Sequence, residues 1–325
     1  MFTLRFDMRA PVDGASTSDL YQAAIDMAAW GEEHGCLSAL ISEHHTSPDG
    51  YIPSPLILAS AIAARTKQLP IVVGALLLNF YDPIKLAEDM IVLDIVSRGR
   101  VSHVIGLGYR PEEYAMFGIP MSERGRVIEQ KVIALQRALR GEQFDYEGRA
   151  VKVTPPAFTP GGPRLAYGGH SLAAARRAGR LGLDMFAEGS IDGLLENYQQ
   201  AARDAGREPG MALIPDRVTP TSVFVAEDLD DAWDKIGPHM LYDATIYRSW
   251  MGDFMGASSR SEATTIAQMR AENGPYRILT PDQAIAQIKS GIPLLLHPLC
   301  GGTPPELAWE TLRLVGERIM PALKQ

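Results

Sequence analysis

The chain has 325 residues, of which 46% are hydrophobic and 22% are charged, a balance typical of a globular protein with a large core. Its net charge of −8 argues against nucleic acid as a partner, because binding to a phosphate backbone requires a basic surface. No apolar run approaches the length of a membrane span, and the amino terminus lacks the basic and apolar segments of a secretory signal. The cysteines, Cys36 and Cys300, lie far apart beside apolar runs. We therefore expect a cytoplasmic protein with reduced cysteines and without nucleic-acid or membrane partners.

Strands and helices alternate along the first half of the chain. Nearly continuous apolar runs predict strands at residues 3–6, 38–42, 71–78 and 101–107. Helical spacing of apolar residues, together with capping residues, predicts helices at residues 19–34, 56–65 and 82–96. Apolar strands that alternate with helices are typical of a parallel sheet covered on both faces, and this succession fits a (β/α)₈ barrel. We expect one such α/β domain over residues 1–325.

The second half is less regular and carries two predicted insertions. Its predicted strands lie at 164–167, 183–187, 221–226 and 294–297, and its predicted helices lie at 126–139, 172–181, 191–205, 229–236, 281–290 and 306–320. A Pro- and Gly-rich excursion at 141–163 predicts a hairpin. Residues 242–276 are too long for a plain connection and predict a lid. Its large side chains Tyr247, Trp250, Phe254 and Met255 are expected to keep water from the site, or else to be plain core residues.

Three titratable side chains, Glu43, His44 and His45, directly follow the second predicted strand. The carboxyl ends of barrel strands are where chemistry is done, and adjacent side chains there point in roughly opposite directions. One histidine is therefore expected to face a cleft while the other anchors to the scaffold; a purely structural pair is the alternative. Because the histidines are adjacent rather than four residues apart, and no H-E-x-x-H motif is present, we expect no metal site.

A glycine-rich turn, made of Gly168, Gly169, His170 and Ser171, joins a predicted strand to a predicted helix. Glycines let the backbone approach a ligand closely, and the first turn of a helix favours an anion. The turn therefore predicts a phosphate site in the second half of the barrel. An ordinary capped turn is the alternative.

The same turn approximates the nucleophile elbow G-x-S-x-G, with Ala173 in place of the last glycine. This pattern leaves open a hydrolase with Ser171 as its nucleophile and His239 or His297 as its base. A His-Gly-Gly oxyanion motif is absent upstream, which counts against that alternative.

A second glycine pattern, Gly106-Leu107-Gly108-Tyr109, follows the fourth predicted strand. It lacks the third glycine of a dinucleotide fingerprint. It is better interpreted as a barrel loop that brings backbone against a flat ligand.

Taken in order, these motifs resemble the bacterial luciferase-like monooxygenase family, and the resemblance spans essentially the whole chain. The segments that carry it are Glu43-His44-His45, Gly74-Ala75, residues 82–89, Leu93-Asp94, residues 97–100, residues 106–114, Phe117-Gly118, residues 168–171, residues 300–302 and residues 320–323.

The resemblance implies a (β/α)₈ barrel that binds reduced flavin at the carboxyl ends of its strands. Family members use FMN, supplied reduced by a partner reductase, and oxygenate a small organic substrate with O₂. Other members use the deazaflavin F420 and transfer a hydride without oxygen. The family is often dimeric, and the helix at residues 82–96 is the expected interface. A degenerate member that binds flavin without turnover is a further alternative.

Residue roles follow from the same resemblance. The catalytic histidine matches His44, and Glu43 and His45 complete the candidate catalytic set. An unusual cis peptide that supports the flavin ring falls at Gly74–Ala75, while residues 168–171 match the phosphate-binding turn.

The remaining candidates are expected to contact the cofactor. Gly74, Ala75 and Leu76 form the floor for the flavin ring, and Asn79 is expected to bond its edge. Gly106, Gly108 and Tyr109 are expected to line the same site. The sequence departs from luciferase at Leu107 and Gly106, where luciferase has a phosphate-binding arginine and a reactive cysteine. This departure leaves both FMN and F420 open.

Overall fold

The computed structural model describes residues 1–215, 220–252 and 257–324. Within these ranges the strands are β1 (Phe2–Phe6), β2 (Cys36–Ile41), β3 (Ile71–Leu77), β4 (Val101–Gly106), β5 (Gln143–Tyr146), β6 (Arg149–Lys152), β7 (Leu165–Gly168), β8 (Asp184–Phe186), β9 (Ala212–Leu213), β10 (Ser222–Val225), β11 (Tyr276–Leu279) and β12 (Leu294–Leu296). The α-helices are α1 (Thr17–Glu33), α2 (Pro55–Arg65), α3 (Pro83–Ser97), α4 (Pro111–Met116), α5 (Arg124–Leu139), α6 (Leu172–Leu181), α7 (Leu194–Asp204), α8 (Leu229–Met251), α9 (Ile266–Glu272), α10 (Pro281–Lys289), α11 (Pro305–Leu314) and α12 (Met320–Ala322).

The chain forms two compact units. Unit 1 comprises Met1–Leu40, Ser47–Ile52 and Pro215–Gln325, and unit 2 comprises Ile41–Thr46 and Pro53–Ile214. In unit 1 the strand order is β11-β10-β12-β1-β2, and β1 with β12, β12 with β10, and β10 with β11 pair in parallel.

Unit 2 has the strand order β3-β4-β7-β8-β9, with every neighbouring pair parallel. The excursion between α5 and β7 contains the antiparallel hairpin β5–β6, which confirms the hairpin predicted there. Parallel strands place their carboxyl ends at one edge of a sheet, so the residues that follow β3, β4 and β7 come together.

Local chemistry explains where α3 begins and ends. Asp82 caps the amino end by accepting from the backbone N–H groups of Ile84 and Lys85, and Pro83 occupies the first turn, as the sequence predicts. At the carboxyl end Arg98 adopts the left-handed conformation.

Buried Asp94, near the end of α3, holds the Pro- and Gly-rich excursion in place. Its carboxylate accepts from the N–H of Thr159 at 2.7 Å and from the hydroxyl of Thr159 at 2.8 Å. A Cβ at Gly99 would lie 2.8 Å from the Thr159 hydroxyl oxygen, and Gly99 has a φ of +79°. Glycine at position 99 therefore serves both the turn and this close approach.

Arg100 joins three elements of unit 2 through their carbonyl groups. Its guanidinium donates to the carbonyl oxygens of Ala63, Thr66, Leu69 and Ser97, and to the hydroxyl of Thr66. These acceptors lie at the end of α2, before β3 and at the end of α3. Asp94, Gly99 and Arg100, which lie in segments that carry the family resemblance, therefore hold the scaffold together.

In unit 1, α8 packs on β10 and β11 through a buried apolar cluster. Its larger members are Phe224, Trp233, Ile236, Met240, Met269, Tyr276 and Ile278. This cluster extends along α8 beyond the predicted helix end.

The helix predicted to end at residue 236 continues through Pro238 to Met251, so that prediction is wrong. Buried Ile236, Met240, Ala244 and Tyr247 keep helical spacing across the proline, and their burial outweighs the lost backbone hydrogen bond. Tyr247 and Trp250 of the predicted lid therefore belong to this helix, whereas Phe254 and Met255 lie outside the described residues. The strand β11 and the helix α4 were not predicted.

A buried histidine of β4 makes the stability of the protein depend on pH. His103 has no exposed surface, and neither ring nitrogen has a hydrogen-bond partner among the described residues. Burial lowers its pKa to about 3. Below the usual imidazole pKa the unfolded chain binds a proton that the folded chain rejects, so stability falls as the pH falls.

We expect the free energy of unfolding to fall by about 2 kcal/mol between about pH 7.5 and about pH 5 because of His103 alone. His103→Leu should remove this part of the slope, as measured by urea unfolding at several pH values. Comparing slopes within each variant cancels any packing effect of the substitution. An unchanged slope would show that His103 is not its source.

Candidate active site

Glu43 is a buried acceptor immediately after β2. Its carboxylate accepts from the backbone N–H of Leu77 at 2.7 Å and from the hydroxyl of Tyr81 at 2.5 Å, and it lies 3.1 Å from Nε2 of His45. Burial, and then the Glu43 carboxylate, raise the pKa of Tyr81, so this hydroxyl keeps the proton it donates. Glu43 thus holds the end of β3 and the loop after it.

The imidazole of His44 lies between a carboxylate and a phenol. Nδ1 is 2.8 Å from Oε1 of Glu113, and Nε2 is 3.3 Å from the hydroxyl of Tyr109. The rings of His44 and Tyr109 meet edge to face with centroids 5.4 Å apart. Glu113 and Tyr109 both lie in the segment after β4, whereas His44 follows β2. The group is therefore built from residues at the ends of two strands.

His45 is held on several sides by unit 2. Its N–H donates to Glu113 at 2.9 Å, and its carbonyl accepts from Arg110 at 2.6 Å. Its ring packs edge to face on Phe80 and Phe117. Because Nε2 also faces Glu43, the contacts of His45 are those of an anchoring residue, while His44 is the histidine of the pair with a phenol at its Nε2.

No role was predicted for Glu113, although it lies within a segment that carries the resemblance. Its side chain has no exposed surface; Oε1 accepts from the backbone N–H of His45 and lies 2.8 Å from Nδ1 of His44. Burial raises the pKa of Glu113, but the bonds from the two histidines and the charge of Arg110 outweigh it and lower the pKa overall. The available signal was Pro111, which predicts a helix start and so places Glu113 in a first turn.

A floor without large side chains lies across three neighbouring strands. The Gly74–Ala75 peptide is cis, as the resemblance implies, and the β3–β4 register shifts between Gly74 and Leu76. A Cβ built at Gly106 would lie 2.6 Å from Cβ of Ala75, and one built at Gly168 would lie 3.9 Å from it. The structure therefore brings Ala75, Gly106 and Gly168 together. Leu76 is completely buried, so its side chain belongs to the core.

Asn79 has no exposed surface; its amide nitrogen is used within the protein, while its Oδ1 has no partner among the described residues. Its Nδ2 donates to the hydroxyl of Tyr114 at 2.7 Å and to the carbonyl of Arg124 at 3.1 Å. Lys131 donates to the carbonyls of Asn79 and Tyr81. These contacts fix the loop after β3.

Gly108 and Tyr109 lie in the loop after β4, and both are half-buried. Gly108 has a φ of +79°, with Tyr114 and Phe80 in ordinary contact range of a Cβ built there. The loop turns at Gly108 and directs Tyr109 to His44.

The turn after β7 caps α6. The Ser171 side chain accepts from the N–H of Ala174 at 3.1 Å, while the N–H of Gly169 donates to the carbonyl of Phe186. His170 lies 3.7 Å from the Glu188 carboxylate. The N–H groups of the first turn of α6, beyond the one Ser171 satisfies, are those a helix leaves for an anion.

Arg176 and Arg177 on α6 are engaged elsewhere. Arg177 contacts Glu129 and Tyr167, and Arg176 donates to Asn197. The contacts of both arginines therefore hold neighbouring helices and β7.

The residues of the alternative hydrolase site, Ser171, His239 and His297, each have other contacts among the described residues. Ser171 serves as a helix cap. His297 is completely buried between Asp7 and Ser222, and Nδ1 of His239 is 3.0 Å from the carbonyl of Gly301.

Unit 1 contains its own buried ionic cluster behind β1 and β12. Arg9 contacts Asp49 at 2.5 Å and Asp243 at 2.8 Å, and its guanidinium lies 4.5 Å from the ring centre of Trp250. Asp7 lies 3.1 Å from His297. Burial opposes ionisation of Asp7, but His297, and then the nearby arginines, lower its pKa well below the usual range.

Within this cluster, Asp243, His297 and Cys300 place one ligand atom each within 4.8 Å of one another. The sequence analysis did not anticipate this grouping. Two of its members already form ion pairs, Asp243 with Arg9 and His297 with Asp7.

No helix among the described residues combines the length and apolar character needed to cross a bilayer.

Parallel strands that alternate with helices, with polar side chains gathered behind their carboxyl ends, define a (β/α)₈-barrel protein with insertions, as the sequence predicts. The chain belongs to the luciferase-like monooxygenase family, whose model matches residues 4–287.

Curated relatives agree with this assignment. Two uncharacterized proteins of Sinorhizobium fredii, y4vJ and y4wF, are 26% and 35% identical over 55% and 42% of this chain. The alignments span 52% and 40% of those relatives. Limonene 1,2-monooxygenase of Rhodococcus erythropolis is 24% identical over 86% of this chain and 76% of its own length.

Solved structures share the fold over nearly the whole chain. Monooxygenase RslO1 from Streptomyces bottropensis has a TM-score of 0.75 at 23% identity, covering 99% of both chains. The oxygenating constituent of 3,6-diketocamphane monooxygenase from Pseudomonas putida, in complex with FMN, has a TM-score of 0.68 at 20% identity, covering 98% of both chains. The F420-dependent tetrahydromethanopterin reductase of Methanopyrus kandleri has a TM-score of 0.64 at 15% identity, covering 99% of this chain and 98% of that one.

Glu43→Leu should lower the free energy of unfolding by about 3 kcal/mol, because it leaves the buried donors of Leu77 and Tyr81 without an acceptor. Tyr81→Phe alone should cost about 1 kcal/mol, and less in the Glu43→Leu background. Urea unfolding of the two single variants and the double variant measures the coupling. The exposed neighbour Glu112→Leu is the control and should change little. Additive effects would contradict the proposed contact.

Proposed function

We propose that the protein is a flavin-dependent monooxygenase that uses reduced FMN and O₂ to oxygenate a small, hydrophobic organic substrate. The observation that carries this proposal is the bare floor made by Ala75, Gly106 and Gly168. A side chain at Gly106 would collide with Ala75, so these strands meet here through a methyl group and two glycines, with no larger side chain at the three positions. Such a floor fits a large flat ring, and the FMN complex of a structural relative supports FMN as that ring.

The proposed cofactor contacts follow from the same strands. Gly74, Ala75, Gly106 and Gly168 would support the ring. Bound reduced flavin would supply the electrons and the reactivity toward O₂, while the protein supplies position and charge.

The proposed phosphate contact is the first turn of α6. The backbone between His170 and α6 would hold the phosphate, since the helix dipole favours an anion there. Ser171 would keep that turn in place by capping it.

The residues after β2 divide the work between them in this proposal. His44 holds and moves the proton at Nε2, where the Tyr109 hydroxyl lies 3.3 Å away. Glu43 and His45 position the loop after β3 and the segment after β4 through the contacts described above. Leu76 and Asn79, which are completely buried in this structure, stay predicted contacts of the ring.

A hydride-transferring F420-dependent oxidoreductase is the second candidate. Two observations favour it: position 107 is leucine where luciferase has a phosphate-binding arginine, and the Glu188 carboxylate lies beside His170 at the proposed phosphate turn. The fold is shared with F420-dependent enzymes as well. We further propose a cytoplasmic location and, for the FMN-dependent activity, a partner reductase.

The purified protein should bind reduced FMN with micromolar or tighter affinity under anaerobic conditions. Gly106→Val should weaken that binding at least about tenfold, since its side chain would collide with Ala75 and displace the floor. Ser102→Val on the same strand is the matched control and should bind as the wild type does. Fluorescence or absorbance titration measures both.

Reduced F420 titrated in parallel decides between the two candidates. Selective binding of F420 would replace the oxygenase assignment with hydride transfer. If neither cofactor binds at concentrations of about 100 μM, the flavin assignment is wrong.

We also propose that the protein forms a homodimer through α2 and α3, which pack beside each other in unit 2. Their exposed apolar side chains are Ile57, Val92, Ile95 and Val96, of which Ile57 is 74% exposed and Val92 is 51% exposed. Clustered exposed apolar side chains on neighbouring helices are typical of a surface that another chain covers. Family members are often dimers, which makes a second copy the proposed occupant.

Sedimentation velocity should give twice the mass of one chain for the wild type. Val92→Lys combined with Val96→Lys should give monomers, because each lysine would bring a charge into the interface. Val12→Lys, at an isolated and fully exposed valine, is the control and should stay dimeric. A monomeric wild type would contradict the proposal.

A further inference from the structure

A neutral imidazole carries its single hydrogen on one nitrogen, and the neighbours of His44 decide which one. Nδ1 lies 2.8 Å from Oε1 of Glu113, while Nε2 lies 3.3 Å from the hydroxyl of Tyr109. The side chain of Glu113 is completely buried, and that of His44 is 9% exposed. Water therefore competes little for these positions.

Glu113 is an acceptor at this place. Its Oε1 already accepts from the backbone N–H of His45 at 2.9 Å, and the Arg110 guanidinium 3.5 Å away favours the ionised form. An ionised carboxylate has no hydrogen to donate. The Nδ1 of His44 must therefore carry the hydrogen, and Nε2 of the neutral ring carries the lone pair that faces Tyr109.

We propose that Glu113 is the positioning residue of His44: it fixes the hydrogen on Nδ1, so that Nε2 is the atom that takes up and returns a proton. The proposal rests on the proposed function for its use of that proton. The contact itself concerns the protein alone, and it also supports the positive charge that His44 carries after taking up a proton. Tyr109 remains the hydroxyl through which Nε2 exchanges that proton.

A merely structural role for Glu113 is the alternative. Its Oε1 also accepts from the N–H of His45, and Arg110 lies 3.5 Å away. That role would require an acceptor for His45 but no particular tautomer of His44. The tautomer therefore separates the two interpretations.

The first experiment is ¹⁵N NMR of the histidine rings in the full-length protein without cofactor, at a pH where His44 is neutral. We expect His44 to be in the Nδ1–H form, whereas a free imidazole side chain prefers Nε2–H. The variant His44→Asn assigns the signal among the seven histidines. An Nε2–H form, or a mixture of the two, would overturn the proposal.

Two variants at position 113 separate the acceptor from the charge. Glu113→Gln keeps a carbonyl oxygen for Nδ1–H and for the N–H of His45, so the Nδ1–H form should persist. Glu113→Met removes the acceptor, so the hydrogen of His44 should no longer be held on Nδ1 and the Nε2–H form should appear. If Glu113→Met fails to fold, the wild-type spectrum and the Glu113→Gln spectrum still decide the question.

Kinetics tests the use of the tautomer. With the cofactor that the titration identifies, Glu113→Gln should lower kcat about ten- to hundredfold with little change in KM, because the carboxylate acts on the charged ring. Glu112→Gln, at an exposed neighbour, is the matched control. An unchanged kcat with the Nδ1–H form intact would overturn the role of Glu113 but leave the proposed function standing. A protein that binds neither cofactor would overturn the proposed function, while the ¹⁵N spectra would still report the contact.

Discussion

A carboxylate that is removed from water must receive hydrogen bonds, and the candidate active site is built on this constraint. Glu43 and Glu113 are both buried, and each collects donors from distant parts of unit 2. Glu43 draws in the backbone of β3 and the hydroxyl of Tyr81, while Glu113 draws in the segment after β2. Because an unmatched buried charge is costly, the loops cannot move independently of these two side chains. The carboxylates of Glu43 and Glu113 therefore fix the positions of the two histidines beside them.

The segments that carry the family resemblance divide into two physical groups. Asp94, Gly99 and Arg100 act at the far ends of the strands, where they tie helices and the hairpin excursion to the sheet. The segments at 43–45, 106–114 and 168–171 lie at or just after the carboxyl ends of strands, and residues 74–75 lie within β3. A motif can therefore identify a family strongly while its residues never meet a ligand. The resemblance alone did not separate these groups, whereas the hydrogen bonds do.

The features that could be predicted from the sequence are those that neighbouring residues determine, such as helix starts and buried strands. Asp82 and Pro83 mark a helix start by themselves, and the apolar run at 101–107 is a strand in any context. The role of Glu113 was not predicted because its partner His44 is 69 residues away, so no local pattern reveals the contact. The helix predicted at 229–236 continues through Pro238, because tertiary burial of one helix face outweighs the local effect of the proline. The roles expected for Leu76 and Asn79 depended on side-chain direction, which spacing along a strand with a shifted register does not fix.

The tight approach of Gly106 to Ala75 also bears on how this chain can diverge. A methyl group at position 106 would lie 2.6 Å from Cβ of Ala75 and 3.1 Å from Cδ2 of Leu77, so an alanine at 106 requires that both neighbours change or move first. Gly168 is limited in a different way, because Val104 and the carbonyl of Ile105 already crowd its missing side chain. The order of substitutions is thus restricted: some sequences that would fold well are reachable only through particular intermediates. A lineage acquiring a bulkier floor would have to rebuild neighbouring strands in sequence, and not one residue at a time in arbitrary order.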